Sequence, residues 1–107
     1  MRIAAIYCHG VLAGYLKEEE PKLKYSFSYL PDYKNEPVSL SMPVSDEIYC
    51  FDSFPAFFDG LLPEGPQLEA LLRYAKLDRS DCFGQLVFVG EDLVGAVTVK
   101  EVTETNE

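Results

Sequence analysis

The segment FPAFFDGLLPEGPQLEALLR, residues 54–73, gathers apolar side chains around a stiff polar corner. Phe54, Phe57, Phe58, Leu61 and Leu62 fall within nine residues. Pro63-Glu64-Gly65-Pro66 then interrupts the run, and an amphipathic pattern resumes. Asp52 or Ser53 is placed to cap a short helix through Leu61, with Pro55 in its first turn. Gly65-Pro66 opens a second helix, 66–76, on which Leu68, Leu71, Leu72 and Ala75 recur at i, i+3, i+4, i+7. Glu69 and Arg73 form an i,i+4 pair on its flank. So much apolar surface either covers the rest of the domain or includes a face for a partner.

The flanking regions read as strands. RIAAIYC is β-compatible, HG signals a turn, and VLAGYLKEE is the return strand of a hairpin. In KLKYSFSYL, Leu23, Tyr25, Phe27 and Tyr29 alternate with Lys24, Ser26 and Ser28, the period of a half-buried strand. VSLSMP alternates again and stops at Pro43. After the helices, Asp78 or Ser80 caps a short turn at Cys82–Leu86. QLVFVG and DLVGAVTVKEV then flank Gly90-Glu91-Asp92 as a closing hairpin. Gly14 and Gly95 sit inside strand patterns, where a bulge or a close backbone approach is expected. The expected fold is α+β: a small curled antiparallel sheet or partial barrel, with a short helical insert between N-terminal and C-terminal strands. Residues 1–101 form the domain and 102–107 an acidic tail. In this reading Leu61, Leu68, Leu71 and Leu72 cover the sheet against Tyr25, Phe27, Val87 and Val97. Leu71→Ala would then cost about 2–5 kcal/mol.

Composition narrows the function. The 107 residues make one domain, 48% hydrophobic, with a net charge of −9. That balance repels phosphate backbones and argues against direct nucleic-acid binding. Cys8, Cys50 and Cys82 are odd in number and far apart, and His9 is the only histidine. No disulfide framework, metal site or cofactor is expected, and reduced thiols fit a cytoplasmic protein. No apolar run approaches the roughly 20 residues of a membrane span. Cys8 and His9, adjacent in a strand, would point to opposite faces, a poor geometry for a nucleophile and its base; a core cysteine beside a turn histidine is the expected reading. Asp46, Glu47, Asp52, Asp59 and Glu64 show no spacing that would hold two carboxylates in one cleft. The glycines form no phosphate-binding loop. No catalytic residue is assigned, and the chain is read as a non-enzyme.

Four pieces in order, IYCHGVLAGYL, VSLSMP, FFDGLLPEG and FGQLVFVGEDLVGAVTV, resemble the N-terminal subdomain of HipA-type kinases, toxins of bacterial toxin–antitoxin loci. The likeness runs from residue 3 to about 99, and FFDGLLPEG is its most specific part. The family's catalytic groups lie in a kinase core after this subdomain, so none carries over. The resemblance implies a HipS-type antitoxin that binds a separate HipT-like serine/threonine kinase, with a DNA-binding HipB-like protein joining through the complex. The ending VTETNE reads as a native terminus rather than a cut in a longer kinase. The alternatives are an assembly module of a HipA-like kinase that contacts the HipB-like partner without inhibiting, and an unrelated small enzyme. The residues assigned to kinase contact are Leu62, Pro63, Glu64, Gly65, Pro66, Gln67, Glu69, Arg73 and Tyr74. The two prolines stiffen the corner, which lowers the entropy lost on docking.

Overall fold

A computed structural model describes residues 1–93 and 95–102. Of the expected acidic tail, 102–107, Val102 ends the last strand, and residues 103–107 lie outside the described residues. Five strands form one open antiparallel sheet in the order β4-β3-β2-β1-β5: β1 Arg2–Cys8, β2 Val11–Glu20, β3 Lys24–Tyr29, β4 Tyr49–Phe51 and β5 Val97–Val102. Helices α1 Ala56–Asp59, α2 Gly65–Ala75 and α3 Cys82–Val89, then a 3₁₀ turn at Gly90–Asp92, fill the connection from β4 to β5. The expected α+β sheet with a helical insert is present, and the sheet does not close.

Local chemistry explains the strands. His9 (φ 52°) and Gly10 (φ 80°) both take left-handed backbone, and Cys8 pairs with Val11. That is the two-residue hairpin whose twist matches right-twisted strands. Ala13 is the extra residue of a bulge, since Ile6 pairs with Gly14 and Tyr7 with Leu12. A Cβ on Gly14 would lie 2.1 Å from the Ser28 carbonyl oxygen, so β2 and β3 approach there as only glycine allows. Tyr25, Phe27 and Tyr29 are buried on the covered face, as their alternation predicts. Leu23 departs from the pattern: it precedes β3, in the turn, and is exposed.

Three other expectations are corrected. VSLSMP is not a strand; it makes a single bridge, Ser39 to Met42. Its Val38 N–H donates to the Tyr29 hydroxyl, which donates in turn to the Met42 carbonyl. The fourth strand is instead Tyr49–Phe51, paired to Tyr25–Phe27. QLVFVG is not a strand either but the body of α3, capped by Asp81, whose carboxylate accepts from the Gly84 N–H. A short apolar run fits a buried strand or a buried helix equally well, and here the cap decides. The first helix starts only after Pro55, with no side-chain cap from Asp52 or Ser53.

The core lies between one sheet face and α1 and α3. Ile6, Leu16, Phe27 and Val99 meet Phe58, Phe83 and Leu86, all fully buried. The Phe27 and Phe58 rings lie 6.1 Å apart. Helix α2 is different: none of its residues is buried, and it rests on α3. Leu61 packs against the core as expected, but Leu68, Leu71 and Leu72 are half-buried outside it. Helix α2 packs instead on α3, an apolar run whose composition suits a strand equally well.

Arg2 ties the sheet to α3. Its guanidinium donates to both Glu18 oxygens at 2.8 and 2.9 Å, and to Asp81 at 2.8 and 3.3 Å. It also lies 4.9 Å from the centre of the Phe83 ring. Burial works to raise the Glu18 pKa, but Arg2 and the Lys22 N–H outweigh it and hold the carboxyl below its ordinary 4.5. Arg2 likewise holds Asp81 below 3.8, against a smaller opposing effect of burial.

Phe58→Ala is expected to cost about 3–5 kcal/mol, whereas Leu71→Ala, outside the core, costs less than about 2. Urea unfolding of the two variants compares them directly. The expectation fails if Leu71→Ala proves the more damaging. Depressed carboxyl pKa values mean that the unfolded chain binds more protons, so stability rises with pH through that range. The clasp therefore stabilises fully above about pH 5 and fades as pH falls through 4 and below. Arg2→Met should lose about 2–3 kcal/mol at neutral pH, because it strands the buried Glu18 carboxylate. It should also flatten the acid limb of the stability curve. An Arg2→Met curve parallel to wild type between pH 3 and 6 would overturn this assignment.

Candidate partner-binding surface

The corner between α1 and α2 is built by backbone constraint. Glu64 is extended (φ −133°, ψ 163°) and Gly65 is left-handed (φ 59°), and Pro66 opens the helix. A Cβ on Gly65 would meet nothing within 4 Å, so conformation rather than space calls for glycine. The far end of α2 closes on left-handed Lys76, with the Leu77 N–H donating to the Leu72 carbonyl at 3.1 Å.

Seven of the nine residues assigned to partner contact are exposed: Glu64, Gly65, Pro66, Gln67, Glu69, Arg73 and Tyr74. Leu62 and Pro63 are half-buried. Leu62, Pro63 and Gln67 come together in a groove of about 440 Å³, with Leu61 beside them and Val89, Asp92 and Leu93 on the opposite wall. Glu64 and Gly65 stand at the corner itself, outside the groove lining. Gln67 and Tyr74, seven residues apart, fall on one line along α2. Tyr74 is 82% exposed, and its ring meets Phe88 of α3 edge-on at 6.1 Å. The expected Glu69–Arg73 pair is not formed; Glu69 instead accepts a hydrogen bond from Arg79, beyond the end of α2. Glu69 and Arg73 therefore act separately on this face.

Sequence reasoning does not reach Phe88, Val89, Asp92 and Leu93, because the composition of that stretch suits a strand and turn. The usable signal was Asp81, a capping residue three before Gly84, which marks a helix whose outer side carries Phe88. The residues considered for chemistry are not assembled. Cys8 is buried, while His9 is exposed and lies 3.5 Å from Glu36. Burial, then Asp59 and Asp81, pushes the half-buried Cys82 thiol up, away from the reactive thiolate. Among the described residues no group of three or more His, Cys, Asp or Glu is placed to hold a metal ion. None of the described helices is long and apolar enough to cross a membrane.

The structure combines an open sheet, one covered face, and a helical layer with a grooved corner. The HipA N-terminal domain model matches residues 4–100, and the chain belongs to that family. It is similar to the solved N-terminal domain of HipA toxin, with a TM-score of 0.78 and 30% identity over 98% of this chain and 96% of that one. An uncharacterized protein of Haemophilus influenzae is 33% identical over 101 residues, 94% of this chain and 93% of that protein. These are matches to a non-catalytic part of the toxin, and they set the chain among HipA-related toxin–antitoxin modules.

Tyr74 and Phe88 stand outside the core, so Tyr74→Ser should shift stability by no more than about 1 kcal/mol. Thermal melts check this, and a loss beyond about 2 kcal/mol would make the ring a structural prop rather than a free contact.

Proposed function

We propose that this chain is a cytoplasmic, non-catalytic antitoxin that binds and neutralises a HipT-like serine/threonine kinase. A DNA-binding HipB-like protein joins through the complex. One observation carries the reading. The match takes in 93% of the Haemophilus influenzae relative, so that relative has the size of this subdomain and no room for a kinase core. A HipA N-terminal fold that exists apart from a core has the core itself as its natural partner. The contact is the Leu62–Gln67 corner with Glu69, Arg73 and Tyr74 along α2. Two prolines limit the corner's freedom, and an exposed aromatic supplies an anchor of the type common in interface hot spots.

A second reading, an assembly module that contacts the HipB-like partner without inhibiting, draws on the other sheet face. Ile3, Tyr7, Leu12 and Tyr15 are half-buried there, opposite the face covered by helices.

The test is co-expression with a HipT-like kinase, followed by pull-down, calorimetry and growth. Wild-type protein should bind the kinase and restore growth. Glu64→Lys, Glu69→Lys and Arg73→Glu together should weaken binding, most in the association rate and at low salt. Undiminished binding and growth for the triple variant would move the contact off the corner. Binding without growth rescue would favour the assembly module, and no binding at all would remove the antitoxin reading.

A further inference from the structure

Charge along the chain is segregated in a way that bears on the groove. From residue 35 to residue 72 there is no Lys or Arg, but there are seven Asp and Glu. Residues 80–99 again contain no Lys or Arg, with Asp81, Glu91 and Asp92 as their acids. Parts of both stretches, residues 60–63 and 67 from the first and residues 89, 92 and 93 from the second, line the same groove. Leu61, Leu62, Pro63, Val89 and Leu93 provide an apolar lining, and Asp92 lies among them. Asp59, Glu64 and Glu91, adjoining the lining in sequence, are exposed, as is Asp92. The cation closest in sequence, Arg73, lies two turns along α2 from Gln67.

We infer that this groove receives a cationic segment of a partner polypeptide that carries an apolar anchor side chain between basic residues. The inference rests on the reading of the corner as a partner contact, and it names the chemistry of what sits there. An apolar floor rewards burial of an aliphatic or aromatic side chain, at about 25 cal/mol per Å² removed from water. A rim of one sign beside a low-dielectric surface focuses the field and raises the local concentration of opposite charge. The same rim repels phosphates and acidic peptides, so specificity comes from rejection as well as attraction. The prolines at 63 and 66 keep the mouth of the groove from rearranging, so recognition favours a preformed shape.

The peptide titration itself needs no kinase; its result is set beside the kinase-binding result above. The ¹⁵N-labelled protein is titrated by NMR with a short peptide of sequence type Lys-Arg-Leu-Leu-Arg-Lys. One control replaces both leucines with serine, and another replaces every basic residue with glutamate. The expected result is amide shifts concentrated in 60–67 and 89–93 for the first peptide alone. Affinity should fall by about tenfold or more as salt rises from 0.01 M to 1 M, and comparably in the double variant Glu64→Lys, Asp92→Lys. Both positions are exposed, so the variant's own spectrum establishes that it is folded. Absence of shifts overturns the inference. Shifts scattered over all acidic surfaces, or equal binding of the serine control, overturn it too, because they report charge without a groove. Peptide binding by a protein that fails to bind the kinase would keep the groove and remove the antitoxin reading. Kinase neutralisation without any peptide response would do the reverse.

Discussion

Strands β4 and β5 lie at opposite edges of the sheet, and the chain between them has to cross from one edge to the other. Four inter-strand spacings make that about 19 Å. A crossing over one face, built of residues that also cover it, answers both the geometric and the hydrophobic demand. This accounts for the crowding of Phe54, Phe57, Phe58, Leu61 and Leu62: they are the first part of the bridge, and Phe83 and Leu86 are its far end. Helix α2 lies between these footings, and the core is complete without it. Its leucines are shared with α3, and its remaining side chains are left to the solvent.

The Arg2 clasp gives the crossing its landing point. Glu18 sits opposite Arg2 on the neighbouring strand, and Asp81 is the cap of α3. One guanidinium thus joins two strands to the start of the last helix. A Cβ on Gly84 would come within 2.3 Å of an Asp81 oxygen, so a larger residue there would displace the capping carboxylate. The 3₁₀ turn that follows is held by a second close approach: a Cβ on Gly90 would lie 2.1 Å from the Val99 carbonyl oxygen. The backbone that carries Val89, Asp92 and Leu93 is therefore held close to β5.

Period-two alternation made β3 legible, and His9-Gly10 made the first hairpin legible, because each signal is local. The bounds of α2 were readable to within a residue from Gly65-Pro66 and the leucine stripe. What failed depends on distant partners. QLVFVG has a composition that suits either state, and only its position above β5 and the Asp81 cap make it a helix. Tyr49–Phe51 is too short to show a pattern; it is a strand because β3 offers a free edge. Of the candidate surface, the corner and α2 could be named from sequence, since prolines and a polar helix face are visible there. The opposing wall could not, because residues 89–93 join the corner through a contact made only in the folded chain.

The pairing of Ile3 with Val102 and of Cys8 with Val97 places the last described strand against the first. On the ribosome the two are made far apart in time. At about 5–20 residues per second, β1 waits roughly 5–20 s for β5. Hairpin formation takes microseconds, so β1 to β3 can associate long before. Throughout that interval the nascent sheet has β1 as a bare edge, a template for pairing with other chains. Vectorial synthesis thus leaves a strand that is interior in the finished sheet exposed as an edge during birth. Arrival of Val97–Val102 closes the period of exposure.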